Sequence, residues 1–112
     1  MTPLKDALPE LAQHAARLLE TAKDEPIDMS KPAGQRTRLE RANTVHFRER
    51  CFHYDPHHKC WNVQAVSTSG HRFIFTAVNT FCTCPDNYKI AGKKVCKHLI
   101  QLSRAVLEYQ NK

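Results

Sequence analysis

The sequence predicts an α+β fold: an N-terminal helix and linker, then a small antiparallel β-sheet with a C-terminal helix. Three observations predict it. Apolar residues recur at three- and four-residue steps at both ends of the chain. Between about residues 44 and 78 they alternate with polar ones instead. Turn residues then divide that alternating stretch into short segments.

Residues 4–23, LKDALPELAQHAARLLETAK, place Leu4, Leu8, Leu11, Ala15, Leu18, Leu19 and Ala22 on a helical stripe. Pro9 falls inside it. Either the helix kinks there, or it begins near Leu8 with Pro9 in its first turn. The stripe must pack on something: the body of the chain, another copy or a partner. Residues 24–35, DEPIDMSKPAGQ, hold two prolines and a glycine and read as a linker. Residues 36–43, RTRLERAN, form a short helix with Arg36, Arg38 and Arg41 exposed. From Thr44 the period changes, and Val45, Phe47, Cys51, Phe52 and Tyr54 mark a strand that Asp55-Pro56 ends. Cys60–Ser67 sets Trp61, Val63 and Ala65 on one face. His71–Val78 does the same with Phe73, Phe75 and Ala77. Ser67-Thr68-Ser69-Gly70 joins these two strands as a hairpin. Residues 84–96 read as an irregular, basic loop. Lys97–Gln110 is a helix whose stripe is Leu99, Leu102, Val106 and Tyr109, widened by Ile100 and Leu107.

The 112 residues suit one domain, or a small domain with an appendage. No run approaches the roughly 20 apolar residues of a membrane helix, and the start of the chain lacks the apolar core of a secretory signal. An intracellular protein is expected, cytoplasmic or nucleoid-associated, or nuclear in a eukaryote. Charge divides the chain in two. Residues 1–30, the acidic helix and start of the linker, hold three bases and six acids, net −3. Residues 31–112 hold fourteen bases and five acids, net +9. A basic body suits a polyanionic partner, though a solvated basic surface explains the composition equally well.

Five cysteines are an odd number, and a reducing compartment disfavours disulfides. Seven histidines accompany them, which turns the reading towards zinc. Four donors are suitably spaced: Cys82 and Cys84, then after eleven residues Cys96 and His98. Residues two apart in an extended chain point the same way, so Cys82 and Cys84 can face one ion from a strand end. Pro85 stops the strand after them. Residues two apart on a helix do not share a face. Cys96 must therefore precede the last helix, with His98 in its first turn. Four protein donors fill a tetrahedral shell, which makes the site structural, with one zinc per chain.

This C-x-C…C-x-H pattern, after two strands and before an apolar helix, resembles the SWIM zinc finger. The matching text is Cys82-Thr83-Cys84-Pro85-Asp86 and Gly92-Lys93-Lys94-Val95-Cys96-Lys97-His98-Leu99-Ile100. Trp61-Asn62-Val63 and His71-Arg72-Phe73-Ile74-Phe75 suit the hairpin that precedes the motif in that family. Arg41-Ala42 resembles its lead-in. The resemblance spans about residues 36 to 110. It implies a ββα zinc module, with Cys82, Cys84, Cys96 and His98 as ligands and with DNA or protein as the partner. SWIM modules often stand beside a catalytic domain, whereas here the finger is nearly the whole sequence, so no neighbour's activity carries over.

A second donor-rich stretch, Cys51-Phe52-His53-Tyr54-Asp55-Pro56-His57-His58-Lys59-Cys60, offers another candidate metal site or simply a His-rich turn. Lys89, Lys93, Lys94 and Lys97 surround the first motif and are candidate phosphate contacts. Arg36, Arg38 and Arg41 form a second candidate set, with Arg48, Arg50 and Arg72 beyond it. Phe52, Tyr54 and Tyr88 can stack on bases or, for the first two, cover the sheet. Trp61, Phe73 and Phe75 read as core. No acid pair or nucleophile–base pair stands at motif spacing, so no enzyme is expected; Asp86 reads as a turn residue. The sequence leaves two functions open. One is a zinc-stabilised nucleic-acid-binding module, DNA foremost, reading phosphates from a basic face. The other is an interaction adaptor, of the recombination or transposition type, using the finger and residues 4–23. A small-molecule substrate is not expected, and a dimer through the first helix is allowed.

Overall fold

The computed structural model describes residues 3–77, 80–84 and 95–111. Their elements run α1 (Leu4–Lys23), α2 (Arg38–Ala42), β1 (Phe47–Asp55), β2 (Cys60–Ser67), β3 (Arg72–Thr76), β4 (Thr80–Cys82) and α3 (Lys97–Gln110). The fold is α+β, as the periodicities predict. The four strands form one antiparallel sheet in the order β1-β2-β3-β4. Sequence periodicity resolves three of these strands and not β4, which is only three residues long.

Register assigns the faces. Phe52, Val63, Phe75 and Thr80 lie in one row across the sheet, and Cys51, Gln64, Ile74 and Phe81 in the next. Neighbouring rows point to opposite faces. The first face carries the core: Val63, Ala65, Phe73 and Phe75 are buried there, against Leu99, Ile100, Leu102 and Val106 of α3. Full burial of Phe73 and Phe75 contributes about 1.5–3 kcal/mol each. The second face is open, and leaves Ile74 39% and Phe81 45% exposed.

α1 lies against α3. Leu11, Ala15 and Ala22 of its stripe are buried in the same core, with Leu18 and Leu19 packed beside them. The stripe is therefore spent inside this chain. Pro9 neither delays the helix nor ends it: α1 runs from Leu4, and Pro9 sits in the second turn, where its missing N–H forgoes one backbone bond. His14 ties α1 to the sheet. Its ring stands 4.8 Å from that of Phe75, and its Nδ1 is hydrogen-bonded to the Thr76 carbonyl.

α2 begins at Thr37, whose hydroxyl accepts the Glu40 N–H at 3.1 Å. Here the structure corrects the sequence reading. Arg38 and Arg41 are not exposed: their side chains are 14% and 24% accessible, and both turn towards Glu25 in the linker. Glu25 accepts from the Arg38 guanidinium and, at 2.6 Å, from the Arg38 backbone N–H. Arg41 also donates to the Gln35 carbonyl at 2.8 Å. Arg36, half-buried, donates to the Lys31 carbonyl at 3.0 Å. Arg38 and Arg41 hold the linker against α2, and Arg36 closes a turn within the linker. Periodicity shows none of this, because the partner lies thirteen residues away in a stretch with no regular pattern. No helix among the described residues is long and apolar enough to cross a membrane.

Candidate metal centre

Each donor of the C-x-C…C-x-H pattern is held by a different device. Cys82 ends β4 opposite Phe73 of β3, and its side chain is fully buried. Thr83 continues the ladder for one residue. Its N–H donates to the Arg72 carbonyl at 3.0 Å, and its hydroxyl accepts the Arg72 N–H at 3.1 Å. That pairing sends the exposed Thr83 outwards and returns Cys84 to the buried side with Cys82. Cys96 is the N-cap of α3, with extended backbone. His98 is the second residue of α3, within its first turn as predicted. Sheet end and helix start thus meet at one corner.

The four side chains converge there. Their ligand atoms all lie within 4.8 Å of one another, and all four residues are buried. No other group of this kind occurs among the described residues. Zinc–sulfur bonds of ~2.3 Å and zinc–nitrogen bonds of ~2.0 Å place tetrahedral donors roughly 3.5–4 Å apart, which suits this cluster. The His98 ring is wedged between Phe73, at 5.4 Å, and His71, at 4.8 Å. Its Nδ1 is buried without a hydrogen-bond partner among the described residues. A buried ring nitrogen left unpartnered is costly, and either ring nitrogen of an imidazole can serve as a metal ligand.

The thiols influence one another. Cys96 is lowered to about 4, chiefly by the hydrogen bond from Cys82, with His98 contributing. Cys82 is pushed up by the same contact and by burial. The contact favours the thiolate on Cys96, and a divalent cation bound here would displace the thiol protons that remain. Burial holds His71 below the usual imidazole range, with the neighbouring His98 adding to the effect. Sequence reasoning missed His71 in this position, although it opens the His71-Arg72-Phe73 stretch that crosses beside the motif. These residues can hold a metal ion.

The second donor-rich stretch does not assemble. Cys51 lies opposite Gln64 and Cys60 opposite Asp55, four residues apart along the ladder, or about 13 Å. His58 is engaged otherwise: its Nδ1 meets Asp55 Oδ2 at 2.6 Å, while the His57 and His58 N–H groups donate to Asp55 Oδ1. This makes the segment a tight turn, closed by Lys59 in the left-handed region (φ 53°). Phe52 and Tyr54, the candidate stacking residues, are half-buried against Tyr109 and Trp61. Among the candidate phosphate contacts, Lys97 is half-buried in the first turn of α3. Lys89, Lys93 and Lys94, with Asp86 and Tyr88, lie outside the described residues. Arg48, Arg50 and Arg72 are exposed. Compared with known protein families, with curated proteins and with solved structures, the chain finds no significant match.

Proposed function

We propose that this chain is a zinc-stabilised nucleic-acid-binding module of the SWIM type, acting on DNA foremost. The observation that carries the reading is the buried convergence of Cys82, Cys84, Cys96 and His98. Three sulfurs and an imidazole suit zinc, and four protein donors leave no open position, so the ion's role is to fasten β4 to α3. A core drawn from so short a chain gains from such a fastening. The clip also closes the segment between Cys84 and Cys96, which contains Lys89, Lys93 and Lys94 against Asp86. The body of the chain is basic around it, at net +9 over residues 31–112. With Arg36, Arg38 and Arg41 engaged in the linker, Lys89, Lys93, Lys94 and Lys97 remain the contacts of choice, supported by the exposed Arg72 beside Thr83. Phosphate contacts give weak sequence preference and a steep salt dependence.

The test is fluorescence anisotropy of the zinc-loaded chain against single-stranded DNA, duplex DNA and RNA over a salt series. Binding with a negative salt slope is expected, and reversing Lys93 and Lys94 to Glu should cost about tenfold or more at low salt. Equal affinity in that variant would remove the segment as the contact. No binding to any of the three at low salt would end the nucleic-acid reading.

A further inference from the structure

β1 is an edge strand: among the described residues its nine residues pair with β2 alone. α3 crosses the core-facing side of the sheet, and two adjoining hollows lie between it and β1. One, of about 260 Å³, is lined at its base by the buried Val63, Leu102 and Val106 and at its rim by Phe52 and Tyr109, whose rings stand 4.6 Å apart. The other, of about 430 Å³, is polar and contains His46, Arg50 and Arg104. Arg50, Ala105 and Glu108 line both, so the two form one groove.

From this groove we infer that the chain binds an extended acidic–apolar peptide, which adds to β1 as a fifth strand. An open strand edge offers unpaired N–H and C=O groups to such a segment, and the neighbouring groove supplies the selectivity. The charges are complementary. Arg104 is fixed by donating to Asn43 Oδ1 at 2.9 Å and to Gln101 Oε1 at 3.2 Å. Arg50 is exposed, lies over the Phe47 ring and has no acidic partner among the described residues. Two guanidiniums against Glu108 leave this half cationic. Spacing sharpens the specificity. Arg50 and Phe52 are two residues apart and point to the same side of the sheet, so an added strand must present its matching side chains at the same interval. The peptide therefore carries an apolar residue for the hollow at Phe52 and an acidic residue two positions away for Arg50. This surface lies apart from the metal centre and does not depend on the nucleic-acid reading.

The probes are fluorescein-labelled octapeptides with Leu and Asp two positions apart, in both orders, and the same peptides with Lys for Asp. They are titrated by anisotropy into the full metal-loaded chain. One order of the Leu/Asp peptide should bind, with the amide resonances of residues 47–55 shifting. Arg50→Glu should weaken it at least tenfold and transfer the preference to the Lys peptide. Ala105→Trp, which fills the groove where its halves join, should abolish binding by both. Circular dichroism and metal content matching the wild type establish that the variants fold. Binding of neither order, or binding indifferent to Arg50→Glu, overturns the proposal. A dimer in sedimentation that Arg50→Glu dissociates also overturns it, by showing that the edge belongs to a second copy. Displacement of the bound peptide by an oligonucleotide would reassign the groove to nucleic acid.

Discussion

Two stretches of this chain are rich in the same donors, and only one makes a centre. Cys51 to Cys60 holds two cysteines and three histidines within ten residues; Cys82 to His98 spreads three cysteines and one histidine over seventeen. The denser stretch is the one that fails. Its donors are strung along a continuous hairpin, where register separates Cys51 from Cys60, and Asp55 closes its turn. In the sparser stretch the sheet ends at Cys82 and the helix begins at Cys96, so two unlike elements bring their ends to one point. Donor density counts for less than where the backbone stops.

The comparison can be broken most directly at Cys96. Cys96→Ser should lose the metal and with it the cooperative melting transition, since small zinc modules draw much of their folding free energy from the ion; a chelator should do the same to the wild type. Phe73→Ala removes the wall behind the His98 ring. It should cost about 3–5 kcal/mol in urea unfolding and weaken metal binding as well. Glu25→Ala removes the carboxylate that accepts from both the Arg38 guanidinium and the Arg38 N–H. A loss of about 1–3 kcal/mol is expected, with metal content unchanged. At the other end of the scale, Cys51→Ser combined with Cys60→Ser should leave metal content unchanged and move the melting temperature by less than about 3 °C.

Much of this was legible in the residues because it is local. The Leu99–Leu102–Val106 stripe gives α3 its bounds, Ser67 to Gly70 gives the hairpin, and the two-residue spacings place Cys96 before the helix and His98 within it. What was not legible depends on distant partners or on very short elements. β4 has three residues, Thr80-Phe81-Cys82, too few to show alternation. Arg38 and Arg41 read as exposed because nothing in their own segment reveals Glu25. Pro9 is a breaker by its own chemistry, yet α1 continues through it, because the buried Leu11, Ala12 and Ala15 beyond it secure the helix.

The central claim is that one centre, and not two, holds this fold together. Native mass spectrometry of the chain purified under reducing conditions, with the metal identified by elemental analysis, tests it most directly. The expected result is one zinc per folded chain, retained when Cys51 and Cys60 are both Ser and lost when Cys96 is Ser. A folded chain without metal, or one carrying two ions of which one leaves with Cys51 and Cys60, would contradict it.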